Sequence, residues 1–159
     1  QSWVYSYNPV SKWNTIIGSA AKILDYLFST YKIRYISSIF SANTEKNLIK
    51  NFDNTNISNY DTSLIVNMSS AFKDQSLLTE LNLQNWDFSS VDYMNELCDG
   101  CTNLRKFNAV IDMDNVYMED NAFRNCPYDL IIHVINKPYN TTYEDLGLTF
   151  SNQLVEDDK

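Results

Sequence analysis

The densest cluster of reactive side chains is Cys98-Asp99-Gly100-Cys101, two thiols at a spacing that could hold zinc or exchange disulfides. A structural zinc site takes four ligands, so Cys126 and His133 would both have to converge on that pair. His133 is the only histidine, and any Ser/His or Cys/His device must pass through it. It stands between Ile132 and Val134, so strand alternation turns its side chain away from the face those two would bury. No nucleophile is marked out beside it by spacing. The acidic pairs Asp112 with Asp114, Glu119 with Asp120, and Asp157 with Asp158 could bind calcium, but such runs ordinarily form a solvated face. Gly18, Gly100 and Gly147 make no phosphate-binding loop. The residues therefore predict no enzyme, no metal and no cofactor.

The elements that position these side chains follow from an internal repeat. Asp61-Thr62-Ser63-Leu64-Ile65-Val66-Asn67-Met68 aligns with Asp87-Phe88-Ser89-Ser90-Val91-Asp92-Tyr93-Met94 at an offset of 26 residues. Phe72 then falls on Cys98, Leu78 on Leu104, Leu81 on Phe107 and Leu83 on Ala109. A further step of 25 carries Asp87 to Asp112, Cys98 to Phe123, Cys101 to Cys126, Phe107 to Ile132 and Ala109 to Val134, while Met94 lands on Glu119. The column Asp61, Asp87, Asp112 reads as turn caps, each carboxylate accepting from a backbone N–H two residues on. Cys98 fills a column of Phe72 and Phe123, which makes it a small core residue. Cys101 and Cys126 share a column as a possible disulfide or thiol ladder, with Cα atoms about one strand spacing apart, roughly 5 Å. Leu78 to Leu83, Leu104 to Ala109 and Leu130 to Val134 alternate like short strands. Val91, Met94, Leu97 and Cys98 are spaced by three and four, which predicts a helical turn. One strand and one helical turn per coil define an α/β solenoid over residues 52–135.

The segments Asn67-Met68-Ser69-Ser70-Ala71-Phe72, Leu77-Leu78-Thr79-Glu80-Leu81-Asn82-Leu83 and Cys98-Asp99-Gly100-Cys101-Thr102-Asn103-Leu104 resemble the BspA-like leucine-rich repeats, the 26-residue repeat of bacterial surface proteins. The resemblance covers about half of the chain. It departs where Cys98 replaces an aromatic residue, where Glu119 replaces Met, and at Pro127-Tyr128-Asp129. It implies a short leucine-rich-repeat array displayed on a surface and used for attachment, and it brings no catalytic residues.

Residues 1–51 read as an N-terminal cap. Trp13, Ile16, Ile17, Ala20, Leu24 and Leu27 line one face of an amphipathic helix over about 12–29, followed by a strand over about 31–36. That helix would cover the open end of the core. Residues 136–159 read as a C-terminal cap or linker tail, weakly patterned from Tyr143 to Val155. Gln1 to Asn8 lacks the basic and apolar regions of a signal peptide, no apolar run reaches the ~18 to 20 residues of a bilayer span, and the chain reads as a processed product or a piece of something larger.

With Lys plus Arg at 12 and Asp plus Glu at 20, the net charge of -8 opposes unaided binding to phosphate backbones or anionic lipid. The expected partners are a protein or glycan surface and neighbouring subunits of a larger assembly, with no nucleic acid and no membrane insertion. With the alternating apolar residues inside, Glu80, Asn82 and Gln84, then Lys106 and Asn108, then Ile131 and His133 form the outer binding surface. The expected function is a non-enzymatic adhesion module at the cell surface or outside the cell. The alternative is a structural or host-recognition protein of a virus or phage particle.

Overall fold

The computed structural model describes residues 2–4, 27–28, 30–42, 48–49, 60–117 and 121–158. Seven short strands follow in order: β1 (Ser2–Val4), β2 (Lys32–Tyr35), β3 (Glu80–Asn82), β4 (Lys106–Asn108), β5 (Val110–Asp112), β6 (Ile132–Ile135) and β7 (Leu154–Glu156). Every pairing among them is parallel: β1 with β2, β3 with β4, and β5 with β6 with β7. Parallel neighbours need a long connection between them. Here it is one whole coil, so Leu81 pairs with Phe107 and Ile111 with Val134.

Among the described residues, the side opposite β3 to β6 holds no helix. From Met68 to Asp74 alternate N–H groups divide their bonds: Ala71 and Lys73 donate back three residues to Met68 O and Ser70 O at 3.1 Å each, while Ser70, Phe72 and Asp74 donate across to Asn95, Leu97 and Asp99 O at 2.8 to 2.9 Å. The next coil repeats this, with Leu97 and Asp99 bonding inward and Cys98 and Gly100 donating to Ala122 and Arg124 O. Such a segment is half turn and half sheet. It can advance only by returning to left-handed backbone every fourth residue, at Ser70 and Asp74, Glu96 and Gly100, Asn121 and Asn125.

This arrangement overturns the α/β solenoid with a helical turn per coil. Among the described residues no helix reaches seven residues, and beyond two 3₁₀ turns at Tyr143–Leu146 and Ser151–Gln153 helical backbone is confined to Leu27, Phe28 and Thr30. Successive three-residue turns produce the same spacing of apolar residues as a helix, but an α-helix or 3₁₀-helix would use every N–H within the segment. The N-terminal amphipathic capping helix is likewise not part of the observed architecture: residues 12–26 and Ser29 lie outside the described residues. The strand expected over 31–36 is β2.

The apolar columns meet in one core. Ile65, Met68, Phe72, Leu81 and Leu83 of one coil, Val91, Met94, Cys98 and Phe107 of the next, and Phe123, Ile132 and Val134 beyond are all buried. Phe40 stacks on Phe72 at 5.0 Å, and Phe107 meets Phe123 edge to face at 5.1 Å. Each fully buried side chain of this size contributes about 1.5–3 kcal/mol.

The strand register departs from the repeat in the third coil. Val134 pairs with Ile111 rather than with Ala109, two residues further along the neighbouring strand. Residues 106–113 thus form one alternating run whose first half pairs with the preceding coil and whose second half pairs with the following one. Because the slip is two residues, the buried face is kept; a slip of one would have inverted it.

Gly147 has φ 75°, and a Cβ there would lie 2.8 Å from the Arg124 backbone nitrogen. Gly147→Ala should therefore destabilise by about 1–3 kcal/mol in urea unfolding. Ser70→Gly, at φ 58° on the turn side of an earlier coil, should stay within about 1 kcal/mol of the parent chain.

Candidate binding face

The outward row on β3 and β4 is assembled as the alternation requires. Glu80 sits beside Lys106 and Asn82 beside Asn108 in direct parallel register. The Asn108 amide donates to Asn82 Oδ1 at 3.0 Å and reaches Gln84 Oε1 at 3.4 Å, while Asn82 Oδ1 also accepts the Gln84 N–H at 3.2 Å. Three amides are thus mutually oriented on top of buried Leu81, Leu83, Phe107 and Ala109.

The remaining expected residues are placed elsewhere. His133 lies in the β5–β6–β7 sheet with Val110 and Val155 as register neighbours, and its Nδ1 is 2.8 Å from Asp157 Oδ1. The two-residue slip is what separates it from Asn108. Ile131 precedes β6 and lines an open groove with Tyr128, Asp129, Tyr143, Phe150, Ser151 and Asn152. Those aromatic residues were not legible as a site, because Tyr128 lies where the repeat is disturbed and Phe150 lies beyond it. Gln153 is buried and bonded to both loops that carry them. A second outward feature is the stacking of Tyr93 on Tyr117 at 5.2 Å, one coil apart.

The aspartate column caps turns as its spacing predicts. Asp61, Asp87 and Asp112 accept the N–H groups of Ser63, Ser89 and Asp114 at 3.1, 2.8 and 3.0 Å. The Ser63 hydroxyl, at 2.6 Å, and then its N–H hold the Asp61 carboxyl below the usual carboxylate range. On the turn side an ion network crosses three coils: Glu96 bonds Lys73 at 2.9 Å and Arg124 at 3.0 Å, and Arg124 reaches buried Asp99 at 2.7 Å. The Glu96 hydrogen bond raises the Lys73 ammonium, and Asp99 raises the Arg124 guanidinium.

All three cysteines are free thiols. Cys101 Sγ donates to Phe72 O at 3.1 Å and Cys126 Sγ to Cys98 O at 3.2 Å, the same bond made in successive coils. The pair is therefore a ladder of thiol hydrogen bonds and not a disulfide. Among the described residues, no three His, Cys, Asp or Glu side chains are grouped to hold a metal ion.

Fold and face together define a stacked-coil repeat protein with an outward polar row. The family described as Mycoplasma protein of unknown function, DUF285, matches residues 19–129, and the chain belongs to that family. No curated protein and no solved structure matches the chain.

Burial pushes the Cys98 and Cys126 thiols up, and a hydrogen bond with Cys101 adds to the Cys98 shift, so the folded chain keeps them protonated where an unfolded chain ionises them. The sign follows: stability is complete below the ordinary thiol value of 9.0 and falls as pH rises past it. A urea midpoint that declines from about pH 8.5 upward is expected. Alkylation by iodoacetamide at pH 8 should be at least about tenfold slower for the native chain than for the unfolded one, as mass spectrometry would show.

Proposed function

We propose that the chain is a non-enzymatic adhesion module, displayed at a cell surface, whose repeat is of the BspA-like kind. The observation that carries this reading is the amide row of Asn82, Asn108 and Gln84 flanked by Glu80 and Lys106. Its donors and acceptors are held in fixed positions over a buried core. A pre-ordered polar row loses little side-chain freedom on contact, which favours binding. The family resemblance supports attachment as the use of that row.

Beads coated with the purified chain should be retained on cultured animal cells. The triple variant Asn82→Ala, Asn108→Ala, His133→Ala should keep its circular dichroism and melting temperature while losing retention by about tenfold or more. Unchanged retention would remove the strand row as the contact, and no retention by the parent chain would remove adhesion itself.

A further inference from the structure

The groove at the C-terminal end of the stack has features that no structural role explains. Tyr128 is 71% exposed and Phe150 53% exposed, yet their rings meet edge to face at 6.2 Å, forming one corner of the groove. Large apolar side chains left together at a surface are a mark of binding. The backbone on either side of this pair is tied together from below. Gln153, 1% exposed, accepts the N–H groups of Thr149 and Phe150 at 2.9 Å each and donates to Pro127 O at 3.2 Å and Leu130 O at 2.9 Å. Its amide has two donors and two acceptor positions, and all four are used. They tie the loop bearing Tyr128 to the loop bearing Phe150.

The chemistry of the lining narrows the ligand. Asp129 is the one charged residue of the groove, and Arg105 neutralises it through two bonds of 2.9 Å. Ser151 and Asn152 are exposed and neutral, and Tyr128 and Tyr143 add phenolic hydroxyls to the lining. The groove therefore offers aromatic faces and solvent-facing neutral donors and acceptors, with no cation among the described lining residues to meet an anion. A chain of net charge -8 also repels acidic ligands and a second copy of itself. A pyranose ring has the matching chemistry, with C–H groups on its face and hydroxyls around its edge. We infer that the groove between Tyr128 and Phe150 is a binding site for a neutral sugar.

This site is separate from the strand row and stands or falls independently of it. The test is a titration of the folded chain, by calorimetry and by chemical-shift changes, with methyl glycosides and neutral oligosaccharides of glucose, galactose, mannose and their N-acetylated amines. The same sugars bearing sialic acid or sulfate form a parallel set. At least one neutral member should bind saturably, and Phe150→Ala and Tyr128→Ala should each weaken it at least about tenfold, with a smaller loss in Asn152→Ala. Both aromatic side chains are exposed, and an unchanged melting temperature confirms that each variant is folded. Tyr139→Ala, which removes an exposed ring outside the groove, should have no effect. Absence of binding by every neutral sugar, tighter binding of the acidic set, or binding unchanged by Phe150→Ala would each overturn the proposal. Loss of sugar binding in the double variant Asn82→Ala, Asn108→Ala would move the ligand to the amide row, overturning the groove while leaving adhesion in place.

Discussion

Every coil in this protein depends on how the backbone N–H groups of its turn side are shared out. An N–H bonded three residues back closes a turn, and the next N–H, pointing the other way, holds the neighbouring coil. If the segment wound into a helix it would satisfy all its own donors and leave nothing to bind its neighbours. If it straightened into a strand it would lose the inward bend that brings Phe72, Cys98 and Phe123 over the core. The alternation between these two states imposes left-handed backbone on Ser70, Asp74, Glu96, Asn121 and Asn125, at a cost of order 1 kcal/mol each. Packing must offset that cost, and the continuous stack of buried aromatic and aliphatic columns is where it is offset.

Polar side chains reinforce the same stacking. The Asp61, Asp87 and Asp112 carboxylates satisfy the N–H groups at each turn on the strand side. The thiols of Cys101 and Cys126 occupy carbonyls of the coil before them, and Arg124 brings a cation to buried Asp99. Asp99 and Gly100 both lie inside the Cys-x-x-Cys segment, so a motif that reads as redox or metal chemistry is used for backbone geometry and charge pairing. The Cys98 thiol, kept protonated by burial, is a poor nucleophile, which agrees with that use.

The sequence was most legible where chemistry repeats. Asp61, Asp87 and Asp112 were recognisable as caps because a carboxylate in a fixed column has one local task, and the Leu81–Phe107 register followed from matching apolar residues. The helical turn was misread because Val91, Met94, Leu97 and Cys98 have the same spacing in consecutive turns as in a helix. Only the destination of alternate N–H groups distinguishes the two, and residue types do not encode that directly. Gly100 and the residues Asp74 and Asn125 at its level in neighbouring coils were a clue to left-handed backbone. Asn82, Asn108 and Gln84 came together as the alternation required, whereas His133 did not join them, because the third coil reaches its strand two residues early. The aromatic groove lay outside the repeat and could not be inferred from it.

That early arrival has a consequence for how such a chain can change length. Strand faces invert with every odd shift and are restored by every even one, so the connection between Cys126 and Val134 can be shorter by a pair of residues than its counterpart between Cys101 and Ile111 without exposing the core. Insertions and deletions of two residues ahead of a strand then keep the buried face buried, whereas a single one would turn it outward. Lineages of this repeat would diversify their outer surface by sliding one coil's side chains past the next, acquiring new neighbours on the sheet while the buried residues stay as they were.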